Sequence, residues 1–139
     1  MAVSFQNQDI TFRLKDKALI KTWIARIIEL EKKKPGQVSF VFTSDETLLK
    51  ANLEFLNHDT YTDIITFDSC EGKTVNGDIL ISIERVKENA SKFKVDFETE
   101  LKRVMIHGVL HLCGYKDKSK AEMAQMRKKE EWALKHSGF

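Results

Sequence analysis

Two of the four histidines in this chain stand four residues apart, in the run His107-Gly-Val-Leu-His111, and an aspartate follows at Asp117. Side chains at positions i and i+4 of a helix share one face on adjacent turns. A buried imidazole needs a partner at each ring nitrogen, and an unmet one costs about 1–3 kcal/mol. Two stacked rings satisfy each other poorly, whereas one divalent cation satisfies both through their lone pairs. The full spacing is H-x3-H-x2-G-x2-D. Gly114 suits a left-handed helix end, after which Asp117 can double back towards the histidine face. Three protein ligands leave the fourth position of a tetrahedral Zn²⁺ to water, which is the arrangement of a catalytic rather than a structural zinc. The expectation is therefore one Zn²⁺ held by His107, His111 and Asp117, with no further catalytic residue assigned. A histidine pair alone fits a plain core role equally well; the glycine and the returning acid turn the reading towards metal.

The spacing is akin to that of zinc peptidases whose helix reads H-E-x-x-H followed by a glycine. Gly108 stands where those enzymes carry the glutamate that activates water. The ligand frame is present and the peptidase base is absent, so a different hydrolysis is expected.

A buried helix must present these rings. Asp96 suits an N-cap, and Phe97, Leu101, Val104, Met105, Gly108 and Leu112 form one apolar stripe up to Cys113. From Val104 onward the other side is apolar too, through Ile106, Val109, Leu110 and Cys113, so this section is expected to be buried all round. Cys113 lies nearly opposite His111 and reads as core. Trp23 and Trp132 read the same way.

Upstream, Ile10, Phe12 and Leu14 alternate with polar residues as in a half-buried strand, and Asp16 opens a helix with Ile20, Trp23, Ile24, Ile27 and Ile28 on one stripe. Lys34-Pro35-Gly36 predicts a helix stop and turn, and Val38 to Phe42 a central strand. Thr43 and Glu46 are spaced as a capping box before a second helix, and Asn57 to Thr62 reads as a polar loop. Strands follow at Asp63–Phe67 and Asp78–Ile83, joined through Gly72 to Gly77. Helices are expected over Glu84–Phe93 and Asp96–Cys113, and from Ser119, where Ser119 and Glu122 form another capping box. The order β-α-β-α-β-β-α-α-α describes one α+β domain over residues 1–139. Its small mixed sheet packs with about five helices, and the metal site lies at the end of a buried helix.

Composition excludes other classes. At 42% hydrophobic and 32% charged the chain is neither disordered nor fibrous. No apolar run approaches the ~20 residues of a membrane span, and the N-terminus lacks the form of a signal peptide. Cys70 and Cys113 make no CxxC pair, so reduced thiols and a cytoplasmic location are expected. A net charge of +2 announces no polyanion partner, although seven Lys/Arg face four acids from Tyr115 to Phe139. A solvated helix face explains that excess as simply as a phosphate backbone does.

Three ordered segments carry a family resemblance covering about Val38 to the C-terminus. HGVLHLCGYKD resembles the signature H-G-x-L-H-L-x-G-Y-D-H. Thr62-Asp-Ile-Ile-Thr-Phe67 resembles T-D-V-L-S-F, and Gly77-Asp-Ile-Leu-Ile-Ser82 resembles G-D-I-x-I-S/C. Together they are similar to the YbeY family of bacterial metal-dependent endoribonucleases. The resemblance implies an α+β fold and a zinc-dependent endoribonuclease of ribosomal RNA maturation, at the 3′ end of the small-subunit RNA, and of ribosome quality control. Its partners would be ribosomal RNA and the small ribosomal subunit. The family's third metal-binding histidine falls on Asp117, whose carboxylate is an acceptable zinc ligand but offsets some of the metal's charge. Leu56 stands where the family usually has an arginine thought to serve catalysis. Leucine cannot bind phosphate, so that role passes to another cation, with Lys116 and His58 as candidates. Asp63 and Asp78, each at a strand entrance, match acids of the family pattern; capping of loop amides and substrate contact are both open to them. Two rival functions stand beside this one: a metal hydrolase of another substrate class, and a non-catalytic ribosome-assembly factor with a structural metal.

Overall fold

The computed structural model describes residues 2–56 and 62–138. The elements follow the predicted order: β1 (Ala2–Asn7), α1 (Lys17–Leu30), β2 (Lys34–Thr43), α2 (Asp45–Leu56), β3 (Ile64–Asp68), β4 (Thr74–Ser82), α3 (Ile83–Phe93), α4 (Phe97–Leu112) and α5 (Lys120–Lys135). The sheet runs β1-β2-β4-β3, with β1, β2 and β4 parallel and β3 antiparallel to β4. This is a mixed sheet in an α+β fold, and among the described residues no helix is long and apolar enough to cross a membrane.

Strand alternation sorts the residues onto two faces. Val38, Phe40 and Phe42 of β2 and Val75, Ile79 and Ile81 of β4 enter the main core with α1 and α4. On the opposite face, Leu48 and Ala51 of α2 cover Ile65, with Phe67 and Leu80 at the margin. All five residues of the predicted α1 stripe are buried, and Trp23 donates its indole N–H to the Ala133 carbonyl at 2.8 Å, tying α1 to α5.

Three local expectations change. The alternating segment from Ile10 to Lys15 is not a strand; β1 lies at Ala2–Asn7, paired in register from Ala2↔Gln37 to Asn7↔Phe42. The chain then turns at Asp9, whose φ is 56°, and Leu14 is buried with Ile10 and Phe12 packed against the same core. Period-two alternation records burial of every second side chain, and here it does so without a ladder partner. Pro35 and Gly36 lie inside β2, at a register shift between Pro35 and Val38, because α1 already ends near Glu31 and Lys32 makes the reversal at φ 60°. Finally, Ser44 rather than Thr43 caps α2: Thr43 stays in the strand opposite Ser82, and the Thr47 amide donates to Ser44 Oγ at 3.2 Å.

The site depends on how closely α4 approaches the sheet. A Cβ on Gly77 of β4 would stand 2.6 Å from the Phe67 carbonyl oxygen and 2.7 Å from a Leu112 methyl. A Cβ on Gly108 of α4 would meet Ile64 and Ile79 methyls at 3.0 Å. The glycines of the GDI and HGVLH segments are therefore spacing residues, which let α4 sit low against β3 and β4.

Gly77→Ala is expected to destabilise the protein by about 1–3 kcal/mol, since a backbone carbonyl cannot give way as a methyl can. Gly108→Ala, facing side-chain ends and gaining helix propensity, should stay within about 1 kcal/mol. Urea unfolding midpoints of the two variants check the ranking.

Candidate metal centre and its cleft

Helix α4 reaches its end through a two-bond reversal. The Gly114 amide donates to the His111 carbonyl at 3.0 Å and the Tyr115 amide to the Leu110 carbonyl at 3.1 Å, with Gly114 at φ 109°. This is the Schellman pattern, which turns the chain back along the helix. It brings Asp117 onto the histidine face: Asp117 Oδ2 lies 3.2 Å from His107 Nε2 and 3.3 Å from His111 Nε2. The three residues expected from the sequence thus converge, and their nearest ligand atoms all lie within 4.8 Å of one another.

The second nitrogen of each ring is occupied. His107 Nδ1 donates to Glu130 Oε2 at 2.6 Å, and His111 Nδ1 donates to the Tyr115 carbonyl at 2.9 Å. A carboxylate and a carbonyl oxygen only accept, so each neutral ring carries its proton on Nδ1 and turns a lone pair outward on Nε2. With both rings neutral, two imidazole lone pairs and a carboxylate oxygen face one another, a set that a cation satisfies and a hydrogen bond does not. The donor set fits a cation. Two bonds of about 2.0–2.1 Å meeting at the tetrahedral angle hold their ligand atoms ~3.3 Å apart, the spacing of Asp117 Oδ2 from each Nε2.

Glu130 is the residue that sequence reasoning missed. It lies on α5 within the buried stripe of Met126 and Ala133, only 3% exposed, and an acid on such a stripe was the available signal. Besides His107 it accepts from Arg103 Nη1 at 2.9 Å, and Arg103 Nε donates to the buried Glu100 at 3.0 Å. Burial pushes the Glu130 carboxyl up, but the hydrogen bonds from His107 and Arg103 more than offset this and hold it below its ordinary range. The Glu100 hydrogen bond likewise keeps the Arg103 guanidinium firmly protonated.

The centre opens into a cleft of about 630 Å³ lined by β3, α4 and the Asp117 turn, with Leu56 and Arg103 on its wall. Of the other sequence candidates, Asp63 lines this cleft, bonded to Asn89 at 3.5 Å, and burial raises its carboxyl. Asp78 lies within β4 opposite Ser39 and Phe67 rather than at a strand entrance, exposed and away from the cleft. Lys116 faces a separate depression beside Glu31 and Tyr115, while Lys118 reaches the cleft. His58 and the predicted loop from Asn57 through Tyr61 lie outside the described residues. Cys113 is buried, its thiol pushed up to about 12 by burial, in keeping with a core side chain. Trp23 is core, whereas Trp132 is half-buried with Lys129 Nζ 4.2 Å from its ring centroid.

Glu130→Gln is expected to weaken divalent-cation binding at the candidate site about 10- to 100-fold, as loss of a charged partner behind a metal-binding histidine does. Competition with a chromophoric chelator reads this. Glu130→Ala should also cost the metal-free protein roughly 1–3 kcal/mol in urea unfolding, because it strips half-buried His107 and Arg103 of an acceptor.

With this geometry in place, residues 2–138 match the family model described as Endoribonuclease YbeY. The chain is 52% identical over 133 residues to a protein named Endoribonuclease YbeY from Flavobacterium psychrophilum, covering 96% of this chain and 94% of that one. A protein of the same name from Christiangramia forsetii is 58% identical over 111 residues, 80% of this chain and 78% of the other. Among solved structures, the solution structure of a Thermotoga maritima protein superposes with a TM-score of 0.69 at 27% identity, covering 98% of this chain and 89% of that one.

Proposed function

The chain belongs to the YbeY family, and from that premise we propose that it is a zinc-dependent endoribonuclease acting on ribosomal RNA, with His107, His111 and Asp117 as the metal ligands. The observation that carries this reading is the clustering of His107, His111 and Asp117, whose Oδ2 lies 3.2 and 3.3 Å from the two Nε2 atoms, inside an open cleft. Zinc bound there supplies a Lewis acid and lowers the pKa of coordinated water. The chain's own residues do the rest. Glu130 and the Tyr115 carbonyl fix the tautomer and aim of each ring. Arg103 holds Glu130 in place and lends positive charge to the wall of the cleft. Lys118 at the rim offers a mobile cation to a phosphate. The substrate would be ribosomal RNA at the 3′ end of the small-subunit molecule, with the small subunit as partner and quality control of ribosomes as a further role. A cytoplasmic setting suits that substrate.

One observation favours a second reading. Leu56 lines the cleft where the family usually has an arginine, and Arg103 is committed to two carboxylates. A ribosome-assembly factor without catalysis, in which the metal staples the Asp117 turn to α4, needs no free cation there.

Zinc-loaded wild type is expected to cut structured RNA and to leave casein intact. Chelation should abolish cleavage, and added zinc should restore it. His111→Ala and Asp117→Ala should lose stoichiometric zinc and fall to the rate of the chelated protein while keeping the wild-type circular dichroism. Cleavage that survives in both variants would sink the three-ligand centre; a folded, zinc-loaded wild type that cuts no RNA favours the assembly factor.

A further inference from the structure

Strand β3 is an edge of the sheet, and its free side faces the metal cleft. Its pairing parity determines which backbone groups are free. The Ser69 amide donates to the Asn76 carbonyl at 3.1 Å and the Ser82 amide to the Asp63 carbonyl at 3.0 Å. With the register Ile64↔Ile81, Thr66↔Ile79 and Asp68↔Gly77, the odd-numbered residues exchange hydrogen bonds with β4. In an antiparallel ladder the residues between them turn both N–H and C=O the other way. Ile64, Thr66 and Asp68 therefore aim their amides outward, and all three line the cleft with His107, His111 and Asp117. Thr62 Oγ1 donates to the Ile64 carbonyl at 3.2 Å, so the groups left over are the Ile64 amide and the backbone polar groups of Thr66 and Asp68, of which Thr66 stands at the centre of the edge. Among the described residues no strand pairs with this edge.

A substrate phosphate needs several donors, and among the described cleft-lining residues Arg103 is held by Glu100 and Glu130, Leu56 offers none, and Lys118 is left as one cation. Backbone amides serve polyanions in place of lysine and arginine. Amides on alternate strand residues recur every ~7 Å, close to one nucleotide step of an extended strand. A carbonyl beside them accepts from a ribose 2′-hydroxyl, the group by which proteins tell RNA from DNA.

We propose that the free edge of β3 is the rail that holds the RNA backbone beside the metal centre, the Ile64 and Thr66 amides donating to phosphates and the Thr66 carbonyl accepting a 2′-hydroxyl. This rests on the endoribonuclease reading and names the element that positions its substrate. A protein segment adding to the edge is the competing occupant. The three outward residues give such a segment little length, and phosphate can use the amides without filling every acceptor.

Proline substitution tests the rail. The Thr66 amide takes no part in the ladder, so Thr66→Pro removes one outward donor at an edge position where proline is tolerated. Thr66→Val keeps that donor and removes only the hydroxyl. With zinc bound, Thr66→Pro should raise KM for RNA about ten- to a hundredfold, with zinc content and melting temperature unchanged and kcat less affected. Thr66→Val, which keeps the amide, should raise KM several-fold less than Thr66→Pro does. Independently, DNA of the same sequence should compete for zinc-loaded wild type at least about tenfold less well than RNA. A folded Thr66→Pro protein with wild-type KM overturns the rail and leaves the edge to a protein strand. Should Thr66→Pro not fold, the competition decides, and equal competition by DNA overturns the proposal. A wild type that cuts no RNA is a different failure, that of the nuclease reading itself.

Discussion

Two neutral imidazoles offer the same lone pair to one point only when something else holds their other nitrogens. The centre of this protein depends on that constraint. His111 meets it locally, because the helix end that follows delivers the Tyr115 carbonyl to Nδ1. His107 meets it at a distance, through a carboxylate on α5. The position of Glu130 is in turn set by ordinary packing. Met126 and Ala133 are buried on either side of it, the Trp23 indole grips the Ala133 carbonyl, and a reciprocal capping box at Ser119 and Glu122 starts the helix. The orientation of the His107 ring is therefore a consequence of how the C-terminal helix docks.

The same dependence runs through the backbone of α4. This helix lies close against β3 and β4 because two positions lack side chains, Gly77 beside the Phe67 carbonyl and Leu112, and Gly108 beside Ile64 and Ile79, the first leaving much less room than the second. A deeper seat for α4 sets its polar face just past the β3 edge, so that strand and helix become two walls of one cleft. The glycine in the HGVLH segment thus has a packing reason unconnected with catalysis. In a zinc peptidase the same position carries a glutamate; here a side chain would have to fit between the helix and two isoleucines.

What could be read from the sequence follows the range of the interaction. The order of elements, the α1 stripe, the burial of α4 on all but its histidine face and the three ligand candidates are set by contacts within a few turns of chain, and each leaves a periodic or spacing signal. The Gly114 reversal was legible for the same reason, since a positive φ has a residue preference. The misplacements at Ile10–Lys15 and at Pro35–Gly36 arose because alternation and proline report burial and backbone shape, not hydrogen-bond partners. Glu130, Arg103 and Glu100 form a network spanning two helices, whose members look like ordinary surface charges until the helices are docked. Glu130 was the most accessible of them, an acid in step with Met126 and Ala133.

The charges around the centre work against one another in an ordered way. A carboxylate behind a ligand imidazole strengthens the ring as a donor and tightens its hold on a cation, but it also passes negative charge towards that cation. Asp117, in the proposed ligand set, would do the same directly. Left unopposed, the two acids would favour metal retention over Lewis acidity. Arg103 opposes them, since its guanidinium bonds the same Glu130 carboxylate that orients His107, 2.9 Å away, and is itself anchored by Glu100. The carboxylate can then fix the tautomer of His107 while much of its charge is balanced before it reaches the ring. On this account the arginine on the cleft wall acts first on the ligand field and only second on the substrate, and a leucine at position 56 is compatible with a working centre provided that phosphate finds its donors elsewhere in the cleft.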